Sequence, residues 1–144
     1  MVALSSFRWS QEAVERAFRE TAPGELLLVA YVVDVRIAEC FAGTDLDLYP
    51  EVMEACTRDL LKGHRDFGKV VLKAISVKAR ARGIRVQKYL AVGQFAKEIL
   101  RLIGATDPRA VITSRSRRPV WDQHVPGEAI ASIARNTGCP MVEV

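Results

Sequence analysis

Five positions, Ser114-Arg115-Ser116-Arg117-Arg118, carry three guanidinium groups and two hydroxyls. Guanidinium forks match the geometry of phosphate and carboxylate. A helix predicted to start at Gly127 and Glu128 would add free amides in a positive field. Arg8, in an earlier loop, adds a fourth cation if the two loops meet. The chemistry this suggests is the holding of a small anion, with Arg8, Ser10, Ser114, Arg115, Arg117, Arg118 and Gly127 as candidate ligands. The alternative is that the arginines are solvated, with Arg8 or Arg117 paired to Asp122 or Glu128. Glu128 weighs toward that alternative, because its carboxylate occupies the field an anion would use.

Other chemistry lacks its usual residues. The sequence has no G-x-x-x-x-G-K-[ST], no G-x-G-x-x-G and no G-x-S-x-G, which removes the signatures of P-loop hydrolysis, dinucleotide binding and serine hydrolases. Cys40, Cys56 and Cys139 are odd in number and form no CxxC pair, and the two histidines, His64 and His124, are sixty residues apart. No metal site or disulfide framework is expected from that spacing. His64 falls inside a predicted helix as a surface or partly buried residue, and His124, beside Trp121 and Asp122, is the better placed of the two. Neither has a visible nucleophile to serve, so no enzyme activity is expected.

The elements that would position these loops can be read from hydrophobic periodicity. Residues 2–5 form a short apolar strand. Ser10 suits the N-cap of a helix over 11–21, in which Val14, Ala17 and Phe18 share a face and Pro23-Gly24 is the stop. The run 26–35 is continuously apolar as far as Val33 and is closed by the charged Asp34, as a parallel strand covered on both faces requires. Residues 36–49 have no period and are expected to be a loop. From Pro50 an apolar residue recurs about every 3.5 positions as far as Gly83, predicting a long helix that Gly63 and Gly68 bend or interrupt. A strand over 84–92, a helix from Phe95 to a stop at Gly104, and a short strand over 110–113 come next. The polar segment 114–126, a helix over 128–135 and a last strand over 141–144 complete the chain.

Strands and helices alternate throughout. This predicts one α/β domain over 1–144, a three-layer doubly wound sandwich with a five-stranded, mainly parallel sheet and helices on both faces. Ligands of such sheets bind at the carboxyl ends of strands where the strand order reverses. The loops after the first and fourth strands, which hold Arg8 and the arginine cluster, are therefore the ones to inspect.

Composition agrees with this class. The 144 residues are 49% hydrophobic and 26% charged, ordinary for a globular domain. The longest apolar run is far short of the roughly 20 residues of a membrane span, and no secretory leader is visible, so a cytoplasmic location is expected. The net charge of +4 conceals a segment, 73–118, with twelve Lys/Arg against Glu98 and Asp107. Such a block can mark a nucleic-acid surface. Without interleaved aromatic residues it is read instead as cations scattered over several faces, and no nucleic-acid partner is expected.

The order of elements and several segments resemble the universal stress protein family over essentially the whole chain. "WSQEAVERAFRETA" is similar to the family's first helix after its Asp-Gly-Ser turn, with Ser10 at the family serine and Arg8 where nucleotide-binding members have an aspartate. "ELLLVAYVVDV" resembles the second strand, with Tyr31 at a histidine place and Val32 where the backbone meets adenine. "VGQFAKEIL" and "NTGCPMVEV" resemble the helix after the third strand and the terminal strand. The resemblance implies the adenine nucleotide alpha hydrolase-like fold.

Nucleotide-binding members carry Gly-x2-Gly-x9-Gly-Ser/Thr. Here the spacing is kept as Ser114-x2-Arg117-x9-Gly127-Glu128, and only Gly127 matches. The lost glycines allow amides to approach phosphates closely, and Glu128 places negative charge where phosphate would lie. The resemblance thus implies a non-catalytic stress-response protein that does not bind ATP in the usual way and needs no cofactor. The alternative is a module that holds a small anion or a nucleotide with its arginines. The resemblance also implies a homodimer formed through the terminal strand, Met141, Val142, Glu143 and Val144. Glu143 could equally be a charge that keeps this edge single.

Overall fold

The computed structural model describes residues 1–41, 49–116 and 128–144, with the backbone alone at 40, 41, 128 and 129. Strand β1 (Val2–Ser5) has all four residues buried. A tight turn follows it, and helix α1 (Gln11–Arg19) starts at Ser10, whose Oγ accepts the Ala13 N–H at 3.1 Å. Strand β2 (Leu26–Asp34) buries eight successive residues, which places it inside the sheet as its unbroken apolarity predicts. The remaining elements are helix α2 (Pro50–Arg80), strand β3 (Arg85–Gly93), helix α3 (Phe95–Thr106), strand β4 (Val111–Thr113), helix α4 (Glu128–Thr137) and strand β5 (Met141–Glu143).

The five strands lie in the order β3-β2-β1-β4-β5 and every pairing is parallel. Val2 of β1 is in register with Val29 on one side and Ile112 on the other. The β1–β4 ladder is short, and the buried Thr113 hydroxyl adds a 2.7 Å bond to the Ala3 carbonyl. Helices α1 and α2 cover one face with Val14, Phe18, Val71, Leu72 and Ile75. Helices α3 and α4 cover the other with Phe95, Ile99, Leu102 and Ile133. Burying each of these side chains contributes roughly 1.5–3 kcal/mol.

Three details depart from expectation. Part of the segment 36–49 is ordered as a 3-10 helix, Val35–Phe41; a stretch this short carries no periodic signal. Helix α2 runs without interruption for 31 residues. Gly68 is required there by close packing, since a Cβ at that position would lie 2.6 Å from Tyr31 Cδ1 and 3.0 Å from Leu90 Cδ1. Helix α3 passes through Gly104 and ends at Asp107, which adopts the left-handed region (φ 41°, ψ 61°) while its N–H bonds to the Ile103 carbonyl at 2.8 Å. Asp tolerates that conformation better than most residues, so a glycine was not needed for the stop.

Candidate functional site

The strand order reverses between β1 and β4, so the crevice at their carboxyl ends is the switch point of the sheet. The sequence from Ser5 to Arg8 builds its floor. Ser5 and Arg8 exchange backbone hydrogen bonds of 2.8 and 3.1 Å, and Ser5 Oγ accepts the Phe7 N–H at 3.2 Å. Ser at the first position of such a turn offers a local acceptor. The result folds Arg8 back over the end of its own strand.

Arg8 is 6% exposed. Its Nη1 donates to the Ser114 carbonyl and to Glu143 Oε1, both at 2.7 Å, and the guanidinium lies 5.4 Å from the centre of the Phe95 ring. A buried cation is tolerated when it is paired and hydrogen-bonded. Here one side chain joins the loop after β1, the end of β4 and the edge strand β5. The two inspected loops do meet, and the carboxylate facing Arg8 belongs to Glu143. Glu143 therefore faces the crevice rather than acting solely as a charge on the sheet edge. Sequence reasoning named Asp122 and Glu128 as partners; Asp122 and the side chain of Glu128 lie outside the described residues. The signal for Glu143 was its place in the last strand, one step past the apolar Val142, which is only informative once β5 is known to lie beside β4.

Other candidates are distributed as follows. Ser114 is 3% exposed, and among the described residues neither its Oγ nor the buried Ser116 hydroxyl has a hydrogen-bond partner. Arg115 is exposed, with its backbone N–H bonded to the Val144 carbonyl at 3.1 Å. Ser10 is engaged as the α1 cap. Val32 is fully buried and its carbonyl accepts the Ser6 N–H at 3.2 Å. Tyr31 is buried beside it, with its ring edge-on to Phe67 at 6.3 Å. Burial pushes the Tyr31 phenol up, and the Ser6 hydroxyl opposes that shift. Arg117, Arg118 and Gly127 lie outside the described residues, as do His124 and Trp121.

A second polar pair was missed from sequence. Asp34, 1% exposed at the end of β2, holds Arg36 through Oδ1 at 2.9 Å from Nε, and accepts the Arg36 N–H at 3.2 Å. An acid closing a buried strand was the available signal. At the opposite, amino ends of the strands lies a cleft of about 530 Å³ lined by Glu20, Glu25, Arg85, Asp107 and Arg109. Its arginines are held by the protein: Arg109 bonds the Glu20 carbonyl at 3.1 Å and stands 3.7 Å from the Glu25 carboxylate, and Arg85 bonds the Gly24 carbonyl at 2.9 Å. Among the described residues no group of three or more His, Cys, Asp or Glu is placed to hold a metal, and no helix is long and apolar enough to cross a membrane. Of the basic residues of 73–116, Lys73, Lys78 and Arg80 are on α2, Arg85 and Lys88 on β3, Lys97 and Arg101 on α3, and Arg82, Arg109 and Arg115 in the connections; α2 and α3 lie on opposite faces of the sheet.

No family model matches the chain, and no curated protein does. Solved structures do. The hypothetical protein MJ0577, the subject of a structure-based assignment of biochemical function, superposes with a TM-score of 0.70 at 14% identity, over 99% of this chain and 92% of that one. The universal stress protein UspA from Lactobacillus plantarum gives 0.63 at 14% identity, over 99% and 97%. A universal stress protein family member from Burkholderia pseudomallei gives 0.63 at 18%, over 99% and 94%. These superpositions extend over nearly the whole of this chain and of its counterparts, so the chain has the fold of the universal stress proteins.

Proposed function

We propose that this protein is a universal stress protein-like, non-catalytic stress-response protein that does not hold ATP as the nucleotide-binding members do. One observation carries the proposal. Arg8, at the place of the adenosine-binding aspartate, is folded into the switch-point crevice and tied there to Glu143 and the Ser114 carbonyl. Its charge is neutralised within the protein, so it neither accepts a ribose hydroxyl nor stands free to meet a phosphate. The engaged carbonyl of Val32 and the engaged hydroxyl of Ser10 point the same way. The division of the cations over both faces favours a protein without a nucleic-acid partner.

The working unit in this reading is cytoplasmic, needs no cofactor and is a homodimer paired through the open edge of β5. Residues Met141, Val142 and Val144 are only half-buried in the single chain, and further pairing would cover them. Titration calorimetry with ATP at near-physiological salt is expected to give no heat of binding; micromolar affinity would overturn the reading. Arg117→Gly with Glu128→Ser tests the loss directly, because restored glycine and hydroxyl should create binding where the parent has none.

A second reading is favoured by the orphaned hydroxyls. Ser114 Oγ is buried at the mouth of the crevice with no partner among the described residues, next to the exposed Arg115. A buried hydroxyl without a partner costs about 1–3 kcal/mol, and a small anion bridging Ser114, Ser116 and Arg115 would relieve it. A thermal-shift screen of nucleotides and simple anions separates the two: a stabilising anion that Arg115→Ala abolishes supports the second, and a flat screen supports the first.

A further inference from the structure

The cleft at the amino ends of the strands carries two charges that the protein leaves unanswered. Register sets its floor. Leu26 pairs with Arg85 and Leu28 with Gln87, and neighbours in a ladder turn their side chains to the same side of the sheet. That side is the one α3 covers, since Leu28 belongs to the core that holds Ile99 and Leu102. Leu26 is nonetheless 53% exposed within the cleft, whose volume of about 530 Å³ falls in the range that takes small molecules. Most of the charged groups around it have partners. Arg109 meets Glu25 and the Glu20 carbonyl, Glu20 is paired with Arg16, and the Met1 ammonium bonds the Ala110 carbonyl at 2.8 Å. Arg85 and Asp107 differ. Arg85 uses only Nε, on the Gly24 carbonyl, and among the described residues its Nη groups make no bond. The Asp107 carboxylate makes neither a hydrogen bond nor an ion pair among the same residues.

We infer that this cleft binds a free α-amino acid with a large apolar side chain. Opposite charges that line one cleft without pairing, over an exposed leucine, set three conditions on a ligand. An anion would leave Asp107 unanswered, a cation would leave Arg85, and an apolar molecule would leave both. An apolar amino acid meets all three at once. Its carboxylate accepts from the Nη groups of Arg85 as a fork, with the Gln87 amide two positions along the same side as a neighbouring donor. Its ammonium goes to Asp107, where the end of α3 adds to the negative field. Pro108 has no N–H with which to close the Gly104 carbonyl four residues back, so that acceptor stays available to a donor. The side chain lies on Leu26 and Leu28.

Arg85 and Asp107 are both exposed, so water competes for each charge and each contact is weak. For a ligand of about a dozen non-hydrogen atoms this gives a dissociation constant on the order of 0.1–1 mM. Occupancy then follows the free concentration of the amino acid over that range. The cleft is at the opposite end of the strands from the switch point, and its occupation is independent of whether ATP binds there.

Titrating the isotope-labelled whole chain with L-phenylalanine to about 10 mM, followed by amide NMR, tests this over the range expected for such a ligand. Saturable shifts should appear at Leu26, Leu28, Gln87 and Asp107. N-acetyl-phenylalanine, which lacks the ammonium, and phenylalaninamide, which lacks the carboxylate, should each bind at least about fivefold more weakly. Glycine, which lacks the side chain, should bind at least about tenfold more weakly. These analogues are read on the unaltered protein and so owe nothing to its folding. Arg85→Gln and Asp107→Asn should each weaken phenylalanine at least about fivefold, and asparagine keeps the tolerance for the left-handed backbone that position 107 needs. Lys62→Gln, on α2, leaves binding unchanged. No saturable shift at the cleft, either blocked analogue binding as tightly as phenylalanine, or full affinity in either cleft variant overturns the inference.

Discussion

Removing the Glu143 carboxylate as Glu143→Ala tests the tie across the switch point. Arg8 has a side-chain exposure of 7% and Glu143 of 34%. Breaking a fully buried pair by deleting one partner costs about 3–5 kcal/mol, whereas an exposed pair is worth about 0–1 kcal/mol. Water reaches Glu143 but hardly Arg8, and Arg8 keeps the Ser114 carbonyl and the Phe95 ring. An intermediate cost of about 2 kcal/mol follows from those bounds. With a urea slope of about 2 kcal/mol/M, the midpoint should fall by about 1 M. Arg8→Met removes the desolvated cation together with its bonds and leaves a carboxylate that can turn to solvent, so its cost is smaller, about 1 kcal/mol. The double variant should then resemble Arg8→Met alone, giving a coupling of about 2 kcal/mol. Urea melts of all four proteins, taken at low protein concentration, measure it. A loss below about 0.5 kcal/mol for Glu143→Ala, or additivity in the cycle, refutes the account of Arg8 as a neutralised buried cation.

Further outcomes follow from the packing of α2 and from the α1 cap. Gly68→Ala should destabilise by about 1–2 kcal/mol despite the higher helix propensity of alanine, because its Cβ would press on the buried Tyr31 ring at 2.6 Å; Gly63→Ala, with nothing within 4 Å, should instead raise the urea midpoint. Burial lowers His64 from its ordinary value of about 6.5. The folded chain therefore binds that proton less readily than the unfolded one. Stability from this source is present above about pH 6.5 and is lost as pH falls toward the folded value, so His64→Gln should flatten that acid limb in urea melts between about pH 7 and pH 5; parallel profiles would contradict the assignment. Ser10→Ala removes the Ala13 cap and should cost about 1 kcal/mol by the same melts.

The strands and long helices were legible because each has one dominant signal. The unbroken apolar run of 26–33 could only be an interior strand, and the 3.5-residue recurrence of 50–80 only a helix. The 3-10 turn of 35–41 and the left-handed Asp107 were not legible, since both arise from local backbone choices that leave no period. At the site, the meeting of the loops after β1 and β4 was legible from topology. The burial of Arg8 was not, because it depends on Glu143, 135 positions away, and on a turn set by the Ser5 hydroxyl. Gly68 was read as a weak point of α2; the reason for it, the Tyr31 ring beneath, appears only when the helix is laid over β2.

Strand β1 has a consequence for the order of assembly. It is central in the finished sheet, yet its two neighbours come from opposite parts of the chain: β2 follows within 34 residues, while β4 ends only at Thr113. At about 5–20 residues per second of synthesis, the intervening stretch of about 80 residues takes roughly 4–16 s. Through that interval β1 can be paired on one side only, an apolar edge open to any passing strand. The chain's most vulnerable surface during synthesis is thus the one that is most deeply hidden afterwards.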